Sequence, residues 1–191
     1  SAIYASLNWK HRDVETFLAS KNWYDMLVGS TGFSVGQVKE QDFNFHAPLD
    51  MTNISVNYDT EWLLKYWDTG EIGDVFRTNV RQALRTAEPG FSFNFFDKEN
   101  ETLRNACTEV CSADDSDVCN LGSINLGRID SITELARIVE LGTKFLICGT
   151  LRAELPYEQV YKTREKNRRL GLGLMGLHEW LIQRGSKYEV T

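Results

Sequence analysis

The 191-residue sequence has little cysteine, no long apolar run and no excess of positive charge. Four cysteines are too few for the disulfide scaffold on which small secreted domains depend. No apolar run reaches the ~18 residues that a membrane-spanning helix needs, and the first residues lack the basic-then-apolar pattern of a secretory signal. The 21 basic residues are outnumbered by 27 acidic residues, so bulk charge does not favour DNA binding.

The remaining composition is typical of a globular domain. Hydrophobic residues make up 42% of the chain and charged residues 25%, and the length suits one domain with its own core. No internal repeat, low-complexity tract or linker divides the sequence, so we expect one domain over residues 1–191. The sequence opens at Ser1 without Met and closes just after a helix pattern, and we therefore expect a piece of a longer polypeptide.

The hydrophobic pattern predicts strands that alternate with helices. Strands are predicted at residues 2–8, 51–57, 91–96 and 124–126. Helices are predicted from residue 13 to about 22, from 59 or 60 to 67, at 71–87, at 131–154 with Ser131 as the cap, and at 165–184. Such alternation predicts an α/β fold with parallel strands, in a barrel or an open sheet.

A polar segment at residues 97–123 holds three of the four cysteines, between a predicted strand and a predicted helix. Asn105, Cys107 and Glu109 are spaced by two residues, which places their side chains on one face if the backbone is extended. In that arrangement the carboxylate can accept a proton from a substrate hydroxyl and the amide can orient a hydroxyl. The sulfur can then carry out covalent or radical chemistry.

Two other interpretations of this segment stay open. The first is a loop cysteine that lies beside unrelated polar residues. The second is a metal site that uses the thiolates of Cys107, Cys111 and Cys119, although the spacing lacks a paired C-x2-C and a nearby fourth ligand. The three histidines are scattered and suggest no metal triad, so no metal site is expected. The two interpretations together give the alternative to an enzyme, which is a non-catalytic thiol- or metal-binding module.

The same segment carries a family resemblance. Asn-Ala-Cys-Thr-Glu at 105–109, followed by Cys-Asn-Leu-Gly-Ser-Ile-Asn-Leu at 119–126, resembles the finger-loop signature of the ribonucleotide reductase catalytic chain. The resemblance extends to residues 1–23, 88–91 and 167–176, the last of which resembles a helix of that family. It implies part of a ten-stranded α/β barrel, with the finger loop at about residues 103–123.

The resemblance also implies a role for each residue of the segment. Cys107 would carry a transient thiyl radical that takes the 3′ hydrogen of a ribose, and Glu109 would be the base on the 3′ hydroxyl. Asn105 would hydrogen-bond the substrate's hydroxyl groups. Cys119 would be one half of the redox-active dithiol that becomes a disulfide. The implied enzyme makes deoxyribonucleotides for DNA replication from ribonucleoside diphosphates or triphosphates, in the cytoplasm, with a thioredoxin-like reductant.

Parts of the family's pattern have no counterpart in the sequence. The second redox cysteine, the phosphate-binding loop and the C-terminal shuttle cysteines are absent, which implies that the chain needs missing N- and C-terminal segments and is inactive alone. The short loop with Asp-Asp-Ser-Asp at 114–117 resembles the adenosylcobalamin-dependent class. The alternative radical source is a diiron or dimanganese second subunit.

Several other features are assigned structural roles. The pattern G-x-G-x-x-G at 171–176 matches a dinucleotide-binding fingerprint, but it follows a charged, helix-like segment, so close helix packing is the preferred interpretation. Cys148 is predicted to be buried in a helix, and Trp62 and Trp67 are predicted to be core residues. The acidic run at 114–117 is predicted to be a solvated loop tip.

Overall fold

The computed structural model describes residues 2–189 of the chain. The ends of the predicted domain, Ser1, Val190 and Thr191, lie outside the described residues. The chain divides into two compact units, with the boundary between Ala113 and Asp114. Within residues 2–189, no helix combines the length and apolar character needed to cross a membrane.

The first unit contains a three-stranded parallel sheet, with helices in the connections, and a small hairpin. In chain order its elements are β1 (Ile3–Asn8), α1 (Val14–Ala19), α2 (Val35–Gln41), β2 (Thr52–Tyr58), α3 (Thr60–Thr69), α4 (Asp74–Thr86), β3 (Gly90–Phe93), β4 (Leu103–Arg104) and β5 (Cys111–Ser112). The sheet order is β1-β2-β3, and β4 pairs with β5 in antiparallel fashion. The strands predicted at 2–8, 51–57 and 91–96 are confirmed, the last one in a shorter form.

One face of the β1-β2-β3 sheet packs against the helices. Val56 and Tyr58 of β2 are buried there with Leu18 of α1 and Trp62 of α3. The Tyr58 hydroxyl donates to Oδ1 of Asn79 at 2.9 Å, which satisfies a polar atom in the apolar core. Burial raises the pKa of Tyr58 well above its ordinary value, so this phenol stays protonated. The prediction that Trp62 belongs to the core is confirmed.

Asp59 joins the end of β2 to the start of α3. Its side chain accepts hydrogen bonds from the backbone N–H of Trp62 at 3.1 Å, from Nδ2 of Asn8 at 3.0 Å and from Nε1 of Trp9 at 2.9 Å. Burial, the largest single influence, opposes ionisation of Asp59. These hydrogen bonds, together with the charge of Lys10, outweigh it and hold the pKa of Asp59 below its ordinary value. This carboxylate therefore fixes the carboxyl ends of β1 and β2 to the helix that follows.

The second unit contains two parallel strands and three helices. Its elements are β6 (Cys119–Asn125), α5 (Ile132–Arg152), α6 (Glu158–Asn167), β7 (Arg169–Met175) and α7 (Leu177–Gln183). The two strands pair from Cys119 opposite Arg169 to Asn125 opposite Met175. Ile124, Leu126 and Ile129 form the buried core of this unit. The Ser131 hydroxyl caps α5 by accepting from the N–H of Glu134, as the sequence predicts.

The prediction of one helix over 165–184 is wrong, because β7 lies between α6 and α7. Glycines at 171 and 173 alternate with leucines, which is a strand pattern, and Leu172 packs against the core of the second unit. A Cβ atom on Gly171 would lie 2.4 Å from Cδ2 of Leu121, so this glycine makes room for a side chain of the paired strand. The interpretation of the glycines as helix-packing residues is wrong for the same reason.

Three further side-chain predictions are wrong. Cys148 lies on an exposed face of α5, and Trp67 is 62% exposed at the end of α3. The acidic run at 114–117 is not a free loop tip, because Nζ of Lys166 binds Asp114 at 2.7 Å and Nε of Arg169 binds Asp117 at 2.6 Å. These ion pairs fasten the loop to α6 and to the start of β7.

The strands of residues 2–189 form one three-stranded and two two-stranded sheets, and no closed barrel is found among them. The α/β class is confirmed. The ten-stranded barrel and the finger loop at 103–123 stay predictions.

Candidate functional site

The β4–β5 hairpin displays the segment on which the functional prediction depends. Leu103 pairs with Ser112 and Arg104 pairs with Cys111, so residues 105–110 form the tip. The backbone N–H of Thr108 donates to the carbonyl of Asn105 at 3.0 Å, and Thr108 has a φ of +68°. The condition of an extended backbone over 105–109 is therefore not met, because the chain must reverse direction within six residues to bring β5 back beside β4.

The turn nevertheless brings two of the three predicted groups together. Nδ2 of Asn105 donates to Oε1 of Glu109 at 2.5 Å, and Oδ1 of Asn105 accepts from the N–H of Val110 at 3.1 Å. Cys107 lies between these two residues in the turn and is exposed, as is Glu109. The tip thus presents an amide, a thiol and a carboxylate within five residues, although alternation along a strand is not the reason.

Both ends of the hairpin are bonded to the β1-β2-β3 sheet. At the base, Nη2 of Arg104 donates to Oγ of Ser92 at 3.0 Å and to Oδ1 of Asn94 at 2.6 Å. At the tip, Nδ2 of Asn53 donates to the carbonyl oxygen of Ala106. Because Ser92 lies on β3 and Asn53 near the start of β2, the hairpin runs along the face of the sheet that faces away from the helices.

We call this face the polar face, and it is made of the side chains that alternate with the apolar ones. Its members are Tyr4, Ser6 and Asn8 of β1, Asn53, Ser55 and Asn57 of β2, and Ser92 with the following Asn94. Parallel strands are usually apolar on both faces, so a polar face points to a function other than packing. Sequence reasoning missed it, although the alternation in Ile-Tyr-Ala-Ser-Leu-Asn and Thr-Asn-Ile-Ser-Val-Asn is visible in the strands.

Hydrogen bonds join several of these polar side chains. Nδ2 of Asn57 donates to Oγ of Ser6 at 3.0 Å, across the β1–β2 pair. Nδ2 of Asn94 donates to Oγ of Ser92 at 3.0 Å, next to the Arg104 guanidinium. The polar face is therefore an ordered set of donors and acceptors beneath the hairpin.

The structure places Cys119 in the second unit, as the first residue of β6. It is half-buried and lines a cavity of about 240 Å³ together with Asn120, Thr150 and Arg164. Its strand partner, Arg169, is the residue that forms the ion pair with Asp117. The acidic loop therefore lies immediately before Cys119 in the chain and is held by the residue opposite it.

Ligands for a metal ion are not grouped in the described part of the chain. Over residues 2–189, no cluster of three or more His, Cys, Asp or Glu side chains has a geometry that could hold a metal ion. None of the four cysteines, all of which lie among the described residues, forms a disulfide.

Comparison with known proteins identifies relatives of this chain. The family model for the ribonucleotide reductase barrel domain matches residues 51–191. A vitamin B12-dependent ribonucleoside-diphosphate reductase from Thermoplasma acidophilum is 30% identical over 93% of the chain and 24% of its own length. A second relative, from Mycobacterium phage D29, carries the name adenosylcobalamin-dependent ribonucleoside-triphosphate reductase. It is 28% identical over 98% of the chain and 26% of its own length. The alpha subunit of a Synechocystis ribonucleoside-diphosphate reductase is 27% identical over 61% of the chain and 17% of its own length.

The chain spans about a quarter of the length of the first two of these relatives. The family model covers more than half of the chain, and it includes the hairpin and the whole second unit. The chain therefore belongs to the ribonucleotide reductase barrel-domain family.

Proposed function

We propose that residues 1–191 are part of the catalytic barrel domain of a ribonucleotide reductase, which makes deoxyribonucleotides from ribonucleoside diphosphates or triphosphates. The observation that carries the proposal is the hairpin tip, where the Asn105–Glu109 hydrogen bond flanks the exposed Cys107. The tip lies along a polar face that offers hydrogen bonds to a sugar. Family membership makes a thiyl-radical reaction the chemistry that this arrangement serves best.

Each group at the tip has a role in the proposed reaction. The Cys107 sulfur, as a thiyl radical, takes the 3′ hydrogen of the ribose. Glu109 accepts the proton of the 3′ hydroxyl, and its Oε2 is the oxygen that the Asn105 bond does not occupy. The second N–H of the Asn105 amide can donate to a substrate hydroxyl, since the first binds Glu109 and Oδ1 binds Val110.

The overall balance requires two electrons and two protons from a dithiol. One ribonucleotide and one dithiol give one deoxyribonucleotide, one disulfide and one water, as the 2′ hydroxyl leaves with a proton. Cys119 is the proposed first thiol. The second thiol and the thioredoxin-like reductant that regenerates the pair would come from outside this chain, since the family's second redox cysteine has no counterpart among its residues.

Adenosylcobalamin is the proposed radical source, because the phage relative is named for adenosylcobalamin and the Thermoplasma relative for vitamin B12. A diiron or dimanganese second subunit is the alternative. The cavity near Lys21 and Trp23 in the first unit measures about 520 Å³ and the one beside Cys119 in the second about 240 Å³. Sites for drug-sized ligands measure about 300–1,000 Å³, so neither cavity is large enough for a corrin with its nucleotide arms. The residues that line these two cavities do not form a cobalamin site.

The test is a reductase assay on the chain reconstituted with the N- and C-terminal segments that complete the catalytic chain. With adenosylcobalamin, a dithiol and no second subunit, we expect deoxyribonucleotide formation. Cys107→Ser and Cys119→Ser should abolish it, whereas Cys111→Ser, on the same hairpin, should retain it. The chain alone should reduce no nucleotide. Equal activity in Cys107→Ser and Cys111→Ser would contradict the proposal, and bound zinc with protected cysteines would favour a non-catalytic thiol or metal module.

A further inference from the structure

Two buried polar atoms on the polar face have no hydrogen-bond partner among the described residues. They are the hydroxyl oxygen of Tyr4 on β1 and Oδ1 of Asn57 on β2. A buried polar atom without a partner costs about 1–3 kcal/mol, so such atoms usually mark a place where water or a ligand binds. Both atoms lie on the face that carries the hairpin.

The hairpin spans the distance between these two residues. Tyr4 is the strand partner of Asn53, which donates to Ala106 at the hairpin tip. Asn57 is the strand partner of Ser92, which accepts from Arg104 at the hairpin base. Tyr4 therefore lies level with the tip and Asn57 level with the base. Four strand residues separate these levels by about 13 Å, so a single molecule that contacts both residues must lie along the strands.

The chemistry of the two atoms restricts what they can bind. Nδ2 of Asn57 is used by Ser6, and Oδ1 can only accept, so it requires an N–H or O–H donor. Phosphate oxygens at neutral pH are acceptors and cannot satisfy it. The Tyr4 hydroxyl can both donate and accept, which suits a sugar hydroxyl. The pair thus fits the neutral, donor-bearing parts of a ribonucleotide and not its phosphates.

We propose that Tyr4 and Asn57 are ligand-binding residues opposite the hairpin, with Tyr4 on the sugar near Cys107 and Asn57 on an N–H group of the base. This inference rests on the proposed function and extends it, since it places the end of the site that binds the nucleobase on β2. The substrate then lies along the polar face, with the sugar at the tip of the hairpin and the base towards the carboxyl ends of the strands.

The test is an NMR titration of the ¹⁵N-labelled 191-residue chain with cytidine and, separately, with pyrophosphate. We expect cytidine to shift the Asn57 side-chain amide and the backbone signals of Tyr4 and residues 105–110, and pyrophosphate to leave Asn57 unchanged. Asn57→Ala and Tyr4→Phe should each weaken cytidine binding about tenfold, the effect of one hydrogen bond. Tyr4→Phe keeps the ring and its packing. Asn44→Ala, on an exposed loop of the same unit, should bind as the parent does.

The outcomes separate this inference from the proposed function. If cytidine shifts residues 105–110 but both variants bind it as tightly as the parent, the inference is overturned and the proposed function stands. A shift of Asn57 with pyrophosphate would overturn it as well, because the face would then bind phosphate. Absence of any cytidine-induced shift also overturns it, while the reductase assay decides the proposed function separately.

Discussion

The side-chain amide of Asn105 donates to the carboxylate of Glu109 at 2.5 Å and accepts from the N–H of Val110 at 3.1 Å. One side chain on the amino-terminal side of Cys107 therefore bonds two residues on its carboxyl-terminal side and closes the hairpin tip. The residue proposed to bind substrate hydroxyls also determines the shape of the turn that carries the thiol. Its two functions can be separated by experiment, because the turn can be observed without substrate.

Replacement of Asn105 by alanine should loosen the tip. The N–H of Val110 loses its acceptor and Glu109 loses its donor, so we expect amide hydrogen exchange at Val110 to become severalfold faster. The measurement is exchange followed by NMR at neutral pH. Asn100→Ala, which changes an exposed asparagine just before the hairpin, is the matched control and should leave Val110 unchanged. Unchanged exchange in Asn105→Ala would show that the side chain does not hold the turn.

The four thiols should differ in their rate of alkylation. Cys107 and Cys148 are exposed, whereas Cys111 and Cys119 are half-buried. Because alkylation requires access to the sulfur, iodoacetamide should modify the first two at least about fivefold faster. Peptide mass spectrometry over a time course measures the four rates, and the same reaction in denaturant provides the control, where the rates should converge. A Cys107 that reacts as slowly as Cys111 in the folded chain would contradict the exposed tip.

Asp59 should make the stability of the first unit depend on pH. Its pKa is lowered in the folded state, so its charge stabilises the fold above the ordinary aspartate pKa of ~3.9, and this contribution is lost as the pH falls through the folded-state pKa. Asp59→Asn keeps a capping side chain but removes the charge. We expect a loss of about 1–3 kcal/mol at pH 7 that shrinks as the pH falls through the folded-state pKa of Asp59.

Urea denaturation of the parent and of Asp59→Asn at pH 7, 4 and 3 measures this difference. Asp68→Asn, an exposed aspartate of the same helix α3, is the control and should change stability by less than about 0.5 kcal/mol. A difference between Asp59→Asn and the parent that stays constant across the three pH values would refute the electrostatic origin.

The attachment of the loop at 114–117 to the rest of the second unit should depend on Asp117. Its side chain is 6% exposed and binds Nε of Arg169 at 2.6 Å and Nδ2 of Asn167 at 2.8 Å. Asp117→Asn should destabilise the second unit by about 1–3 kcal/mol, because a charged hydrogen bond to a partly buried group is weakened. Glu158→Gln breaks an exposed pair with Lys162 and should cost less than about 1 kcal/mol. Equal effects of the two substitutions, measured by chemical denaturation, would show that the loop is not held by this pair.

Local patterns predicted most of the elements, but tertiary contacts decided several boundaries. The Ser131 cap predicts the start of the helix at 131–154, and α5 confirms that helix closely. The prediction of one helix over 165–184 is wrong because a charged helix runs directly into a glycine-rich strand. The strand pairs with β6, whose residues lie 50 positions earlier in the chain, as Leu121 opposite Gly171 shows. No local stretch of sequence contains that pairing.

The sequence by itself determined the identity of the chemical groups: an amide, a thiol and a carboxylate within five residues, inside the range that the family model matches. Only the tertiary structure decided how they meet, through a reversing turn instead of an extended strand, and that the hairpin lies along a polar sheet face. The physical reason is the distance along the chain between the residues that interact. Residue types and their spacing are local, whereas the bonds from Arg104 to Ser92 and from Asn53 to Ala106 join segments that only folding brings together.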